Sequence, residues 1–338
     1  MGRPRKYNKG LPPRVYRHRA GYRWIAPNGT AHPLGRDLHE ALLKWASLAA
    51  PKADGVRTME DVFDRYIATE LGKLAPRTRE DYLDALVRLR RVFGTMEPSD
   101  IKPMHVYRYL EARRAKVRAN REVATLSAAL NTAIKLGLIE RNPCREVRRN
   151  PERPRDRLPT DAEIAVALSH GPEWLRLYAR LKLLIGARQG DMLTLTLDDV
   201  REDGLYIEQG KTGKRQLFAL TVTLREVIDA LKQLRRVPGE RALVVARDGI
   251  ALSGNTFRGA WQRMMKKAVD AGVERFTEHD LRAKVASDNR ETATEILGHD
   301  DPKTTRRHYV RGVANVQPGR GVLPIGENIT HGTTENDT

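Results

Sequence analysis

The segment RRNPERPRDRL at residues 148–158 limits what this chain can fold into more than any other feature. It holds five arginines and two prolines, and Leu158 is its one aliphatic residue. Proline interrupts helices and strand pairing, and a stretch with almost no apolar side chains has nothing to bury in a core. We therefore predict an interdomain linker at residues 151–158, and a length of 338 residues leaves room for two or three domains.

Residues 1–55 have the pattern of a small sheet followed by a helix. Two β-like runs, at residues 15–18 and 22–26, precede an Asn-Gly pair at residues 28–29, which favours a primed hairpin turn. From Asp37, a suitable N-cap, apolar residues recur at helical spacing. This pattern predicts a three-stranded sheet with one helix.

The same segment is strongly basic, since no acidic residue precedes Asp37. A disordered basic tail is the alternative, but Tyr22, Trp24 and Trp45 supply more apolar surface than such a tail needs. Lysine and arginine side chains attract polyanions, so this segment is a candidate for contact with nucleic acid. Its candidate contacts are Arg3, Arg5, Lys6, Arg14, Arg17, Arg19 and Arg23.

Residues 56–150 predict a helical domain. Apolar residues recur at helical spacing in about four or five segments, two of which are led by Thr58 and Thr78. The basic faces of these helices either contact DNA or are simply solvated, and the sequence leaves both interpretations open.

Residues 159–338 predict a mixed, mainly helical domain. It opens with a capping box at Thr160. Two strands, at residues 205–209 and 215–221, flank a tight turn, and further helices follow. The predicted fold class is therefore multidomain α+β: a small three-stranded sheet plus helix, a helical domain and a mixed, mainly α domain.

Charge and cysteine content indicate which kinds of partner and site the protein can have. A formal net charge of +18 favours polyanionic partners, of which nucleic acid is the commonest. The single cysteine, Cys144, excludes an internal disulfide and a cysteine-based metal cluster. No apolar run approaches the roughly 20 residues that span a bilayer, and the basic start lacks the apolar stretch of a secretory signal. We expect a cytoplasmic protein.

Four separated segments of the last domain hold side chains suited to phosphoryl transfer. Each has an ordinary structural interpretation by itself, such as a helix-end arginine, a solvated turn lysine or a core tyrosine. Their order along the chain is the informative feature. The segments are Arg188 with Asp191, Lys211 in a Gly-rich turn, the H-x-x-R pair His279 and Arg282, and Leu297-Gly298-His299 ahead of Tyr309.

This order resembles the active site of the tyrosine recombinase (phage integrase) family. The resemblance extends upstream, because residues 1–50, with LPPRVYRHRAGYRW and PLGRD, look like the arm-site binding domain of lambda-type integrases. The helical middle unit is similar to the core-binding domain of that family. The resemblance implies domains at residues 1–55 for arm sites, 56–150 for core sites and 159–338 for catalysis.

The resemblance implies a role for each residue of the set. Tyr309 would attack phosphorus and form a 3′-phosphotyrosine, with His279 accepting its proton. Arg188 and Arg282 would hold the non-bridging oxygens, since a guanidinium matches phosphate geometry. Lys211, or Lys214 in its place, would protonate the leaving oxygen. His299 would donate to the phosphate, and Asp191 would orient a histidine or arginine.

The implied function is that of a phage or prophage integrase, which integrates and excises a mobile element without a metal or other cofactor. Its partners would be double-stranded DNA at arm and core sites, accessory DNA-bending proteins and an excision factor, with a homotetramer on DNA. In the linker, Arg153 and Arg155 are candidate DNA contacts. Alternatives are a chromosome-dimer or transposon recombinase, a type IB topoisomerase, or a DNA-binding protein that has lost catalysis.

Two features depart from the family pattern. The span from Arg282 to His299 is shorter than usual by a little over one helical turn, which weakens the placement of His299. After Tyr309, the apolar tetrad at residues 322–325 either packs on a neighbouring subunit or belongs to a frayed end.

Overall fold

The computed structural model describes residues 11–49 and 55–311. The chain divides into two compact units, one ending at Arg153 and the other beginning at Pro154. That division falls inside the predicted linker, and residues 148–160 lie in no helix or strand. The candidate DNA contacts Arg3, Arg5 and Lys6, and the tetrad at residues 322–325, lie outside the described residues.

The first unit joins a small antiparallel sheet to a set of helices. The sheet has the order β1-β2-β3. Its elements are β1 Val15–His18, β2 Gly21–Ile25, β3 Ala31–Gly35, α1 Leu38–Ala49, α2 Met59–Thr69, α3 Pro76–Phe93, α4 Pro103–Ala112 and α5 Lys116–Lys135. Buried side chains of the sheet, such as Trp24, and of α1, such as Trp45, belong to the same apolar core as those of α2 to α5. The predicted division at residue 55 stays a prediction.

The turn between β2 and β3 differs from the predicted primed type. A primed turn needs positive φ at both central residues, but Arg14 is the one described non-glycine residue with positive φ. Instead, the amide of Gly29 donates to the Ala26 carbonyl and Gly29 takes φ +87°. Pro27 is the cause, because its ring holds φ near about −65° and suits the first position of a type I turn.

Local capping signals fix several helix starts. The Thr58 side chain and the Asp61 carboxylate form the capping box that starts α2. The predicted start at Thr78 is wrong by one turn, because Pro76 takes the first helical position of α3.

The second unit is mainly helical with one hairpin, and the multidomain α+β fold class is confirmed. Its elements are α6 Asp161–Ser169, α7 Glu173–Ile185, α8 Gln189–Thr194, β4 Leu205–Glu208, β5 Arg215–Phe218, α9 Val222–Gln233, α10 Gly254–Asp270, α11 Glu278–Asp288, α12 Ala293–Leu297 and α13 Pro302–His308. The predicted capping box of Thr160 and Glu163 starts α6. Strands β4 and β5 pair antiparallel on either side of the turn that carries Lys211.

Within the described part of the chain, no helix combines the length and apolar character that a membrane crossing requires.

Candidate active site

Arg282 lies at the centre of the candidate site. It is fully buried on α11, two residues after Asp280, whose side chain caps that helix. One terminal nitrogen donates to the carbonyl of Gly186, at the end of α7, and the other donates to the Leu297 carbonyl at 2.8 Å. Burial lowers the pKa of Arg282, but a guanidinium stays protonated in proteins. The permanently charged side chain of Arg282 therefore connects α11 to the C-terminal ends of α7 and α12.

His299 packs against Arg282 as a neutral imidazole. Arg282 Nη2 lies 3.1 Å from His299 Nε2, and His299 Nδ1 lies 2.8 Å from the Thr305 hydroxyl oxygen. Because a guanidinium can only donate, Nε2 accepts and the ring proton is assigned to Nδ1. Burial, followed by the positive charges of Arg282 and Arg188, lowers the pKa of His299 to about 4.

Tyr309 ends α13 beside these groups, within the same chain. Its ring centroid lies 4.9 Å from that of His299 and 5.4 Å from that of His279. The Arg282 Cζ lies 5.1 Å from the same ring. The predicted nucleophile, both predicted histidines and one predicted phosphate-binding arginine are therefore brought together.

His279 lies exposed on α11, one turn before Arg282. Neighbouring protein atoms partly shield its ring from water, and this desolvation, together with the ammonium of Lys182, lowers the pKa of His279. The imidazole is therefore neutral at pH 7, the form that can accept a proton.

Arg188 reaches the same site from the start of α8. Its guanidinium donates to the side-chain oxygen of Gln209, a buried residue directly after β4. Asp191 lies behind it, with a carboxylate oxygen 4.0 Å from Arg188 Nη1. The other carboxylate oxygen accepts from the Gly210 amide at 3.0 Å. Asp191 and Gln209 thus tie Arg188 to the base of the hairpin.

Several known proteins are similar to this chain in sequence and in fold. Residues 161–315 match the phage integrase family. The chain is similar to the integrases of Escherichia phage HK022, at 27% identity over 91% of this chain and 96% of the relative, and of Escherichia phage lambda, at 27% over 88% and 94%. Its fold resembles that of a lambda integrase tetramer bound to a Holliday junction, with a TM-score of 0.66, 24% identity and coverage of 93% and 99%.

Residues 161–315 therefore form a domain of the phage integrase family, which supports a tyrosine recombinase.

In this recombinase the two candidate lysines of the hairpin have different surroundings. Lys211 is exposed and has no hydrogen-bond or ion-pair partner among the described residues. Lys214 Nζ lies 3.3 Å from the His299 carbonyl oxygen and 3.2 Å from Asp300 Oδ1. The structure therefore leaves Lys211 outside the cluster and places Lys214 at its edge.

The predicted DNA contacts of the recombinase lie on its surface where they are described. Arg14, Arg17, Arg19, Arg23 and Arg153 are exposed. Arg155 is also exposed, but its guanidinium donates to Thr277 and lies 3.5 Å from Asp280, so this part of the linker contacts α11.

The sequence analysis did not predict several buried polar residues around the site. Gln209 is 2% exposed and also donates to the Leu297 carbonyl at 3.0 Å. Lys182 is fully buried on α7, with Nζ 2.5 Å from a Glu278 carboxylate oxygen that also accepts from Tyr178. The position of Lys182 within the apolar run LKLLIG could have indicated that this lysine is buried.

Proposed function

We propose that this recombinase cleaves DNA by attack of the Tyr309 hydroxyl oxygen on a phosphodiester. The new bond joins the tyrosine oxygen to phosphorus as a 3′-phosphotyrosine, and the bond to the 5′-oxygen breaks. The contact of the Tyr309 ring with Arg282 and two neutral histidines of the same chain is the observation that carries this proposal.

Tyr309 must lose its proton during the attack, because a free phenol has a pKa near about 10. His279 is the acceptor we propose, since its ring centroid lies 5.4 Å from that of Tyr309 and its lowered pKa keeps it neutral. Arg282 and Arg188 would hold the two non-bridging oxygens, where negative charge develops. Removing one such donor typically costs about 3 to 4 kcal/mol in the transition state.

The role predicted for His299 requires a change in its hydrogen bonding. Donation to a phosphate oxygen through Nε2 needs a proton there, whereas Nε2 accepts from Arg282 in this arrangement. We propose that a bound phosphate takes over the Arg282 donor, after which His299 can bind the phosphate as the other tautomer.

The leaving 5′-oxygen needs a proton, and we propose Lys211 as its source. Its ammonium has no competing partner among the described residues, and a hairpin tip can approach bound DNA. Reversal of the same steps with a different 5′-hydroxyl would join the strand to a new partner. The phosphotyrosine ester conserves the energy of the broken bond, so the cycle needs no ATP or other cofactor.

The partners that we propose follow the family. The related lambda integrase has been solved as a dimer on a core site and as a tetramer on a Holliday junction. We propose double-stranded DNA with arm and core sites for this chain, a tetramer on paired sites, and accessory DNA-bending proteins with an excision factor. The net charge of +18 favours such binding, and affinity should fall as salt rises.

A nicked DNA that carries the cognate core site tests the nucleophile. We expect wild type to give a protein-DNA adduct that resists denaturant, and Tyr309→Phe to bind the DNA without forming it. Tyr206→Phe is the matched control, because the Tyr206 hydroxyl bonds Glu208 on the hairpin and lies outside the cluster. An adduct in Tyr309→Phe would show that another residue attacks, and a mobility shift without any adduct in wild type would favour a binding protein.

A further inference from the structure

The chain directly after Tyr309 is fastened by a buried arginine that the proposed chemistry does not use. Arg311 is 8% exposed. Its Nη1 donates to Asp280 Oδ1 at 2.6 Å and to the carbonyl of Arg157 at 2.6 Å. The Asp280 side chain is itself 1% exposed. The guanidinium of Arg311 therefore connects the chain after Tyr309 to α11 and to the first residues of the second unit.

The main chain on either side of Val310 is fixed to the same helix. The Ser287 hydroxyl donates to the carbonyl of Tyr309 at 3.3 Å and accepts from the amide of Arg311 at 2.9 Å. The Arg290 side chain donates to the Arg311 carbonyl at 3.2 Å. Residues 309–311 are therefore held by side chains of α11 and of the residue that follows its C-cap.

Apolar packing contributes little to holding this segment. The α13 helix has seven residues, and Thr305 is its one buried residue. The apolar cluster beneath Tyr309 consists of Ala286, Ala293 and Leu297. Because two of these side chains are single methyl groups, burial stabilises the position of Tyr309 weakly. Hydrogen bonds and the buried ion pair are the stronger restraints.

We propose that Arg311 is a positioning residue, which holds the Tyr309 hydroxyl at the phosphate bound by its own subunit. Asp280, which binds Arg311, lies between His279 and Arg282 on α11. The residue that fixes the chain after Tyr309 therefore shares one helical turn with two residues of the candidate site. Although burial raises the pKa of Asp280, the donors Arg311 and Thr277 lower it overall, and the pair stays ionised at neutral pH. This inference rests on the proposed role of Tyr309.

The rate of adduct formation on nicked core-site DNA, at saturating protein in a single turnover, tests this role. We expect Arg311→Ala to slow adduct formation about tenfold to a hundredfold, since a displacement of about 1 Å can cost that much. Its dissociation constant for the same DNA should change little. Arg311→Lys, which keeps one cationic donor, should recover part of the rate. Arg307→Ala is the control, because Arg307 is exposed on α13.

A wild-type rate in Arg311→Ala would overturn the proposal, as would a loss of rate explained wholly by weaker DNA binding. If Arg311→Ala fails to fold, judged by its melting midpoint, Ser287→Ala decides. A slower rate in that variant supports the proposal and an unchanged rate overturns it. Tyr309→Phe runs in parallel, because an adduct in that variant would contradict the proposed nucleophile rather than its anchor.

Discussion

The two histidines beside Tyr309 differ in their surroundings, but the surroundings of each lower its pKa. His299 is buried against Arg282, which together with burial lowers its pKa to about 4. His279 is exposed, and partial desolvation of its ring and the charge of Lys182 lower its pKa from 6.5. Both rings are therefore neutral at pH 7.

The lowered pKa of His279 predicts the pH dependence of cleavage. The proposed acceptor works only as the neutral ring, so the single-turnover rate should be constant near pH 7 and fall as the pH drops. Because the pKa of His279 is lowered, the midpoint of that fall should lie below pH 6.5. His279→Gln should lower the rate and remove this limb, whereas His308→Gln, at an exposed neighbour of Tyr309, should keep it. A midpoint above pH 6.5 in wild type would contradict the assignment.

The two lysines of the β4-β5 hairpin have different surroundings, since Lys211 is exposed and Lys214 contacts His299 and Asp300. We therefore expect substitutions of the two lysines to respond differently when the leaving group is changed. With ordinary DNA, Lys211→Ala should slow cleavage about 10² to 10⁴-fold, as loss of a general acid does. A 5′-bridging sulfur leaves as a thiolate without needing a proton, because thiols are more acidic than alcohols. Cleavage of that substrate by Lys211→Ala should approach the wild-type rate.

The matched variant is Lys214→Ala, which loses contacts to His299 and Asp300. We expect it to slow cleavage of both substrates to the same degree, because it disturbs the site rather than the protonation step. Rescue of Lys214→Ala by the sulfur substrate, without rescue of Lys211→Ala, would assign the general acid to Lys214.

Most features that depend on neighbours in sequence were predictable, and contacts between residues far apart in sequence were not. The caps at Thr58 and Thr160 follow from residues three positions apart. The turn after β2 was mispredicted because Pro27, one residue before the Asn-Gly pair, overrides it. The order of the site residues identified the family. The contact of Arg311 with Asp280 joins residues 31 positions apart, and no periodicity relates them.

The N-terminal sheet and the helices of the first unit share an apolar core, which bears on how the arm-site role is tested. His39 on α1 contacts Asp84 on α3 at 3.2 Å, and Trp45 is 2% exposed. Deleting residues 1–55 would therefore uncover apolar surface of the remaining helices as well as remove the basic sheet. A surface substitution separates these two effects.

Arg23 is suited to that substitution. It is exposed on β2 and is paired in register with the exposed Tyr16 of β1, so the two side chains share the face opposite buried Trp24. We expect Arg23→Glu to weaken recombination of a full attachment site, most strongly at higher salt, because a phosphate contact becomes a repulsion. Adduct formation on an isolated core site should be unchanged. Lys44→Glu, which reverses one charge on the exposed face of α1, is the control. Equal loss in both assays would mean that the sheet supports the fold or core binding, and unchanged recombination would mean that this face does not contact arm DNA.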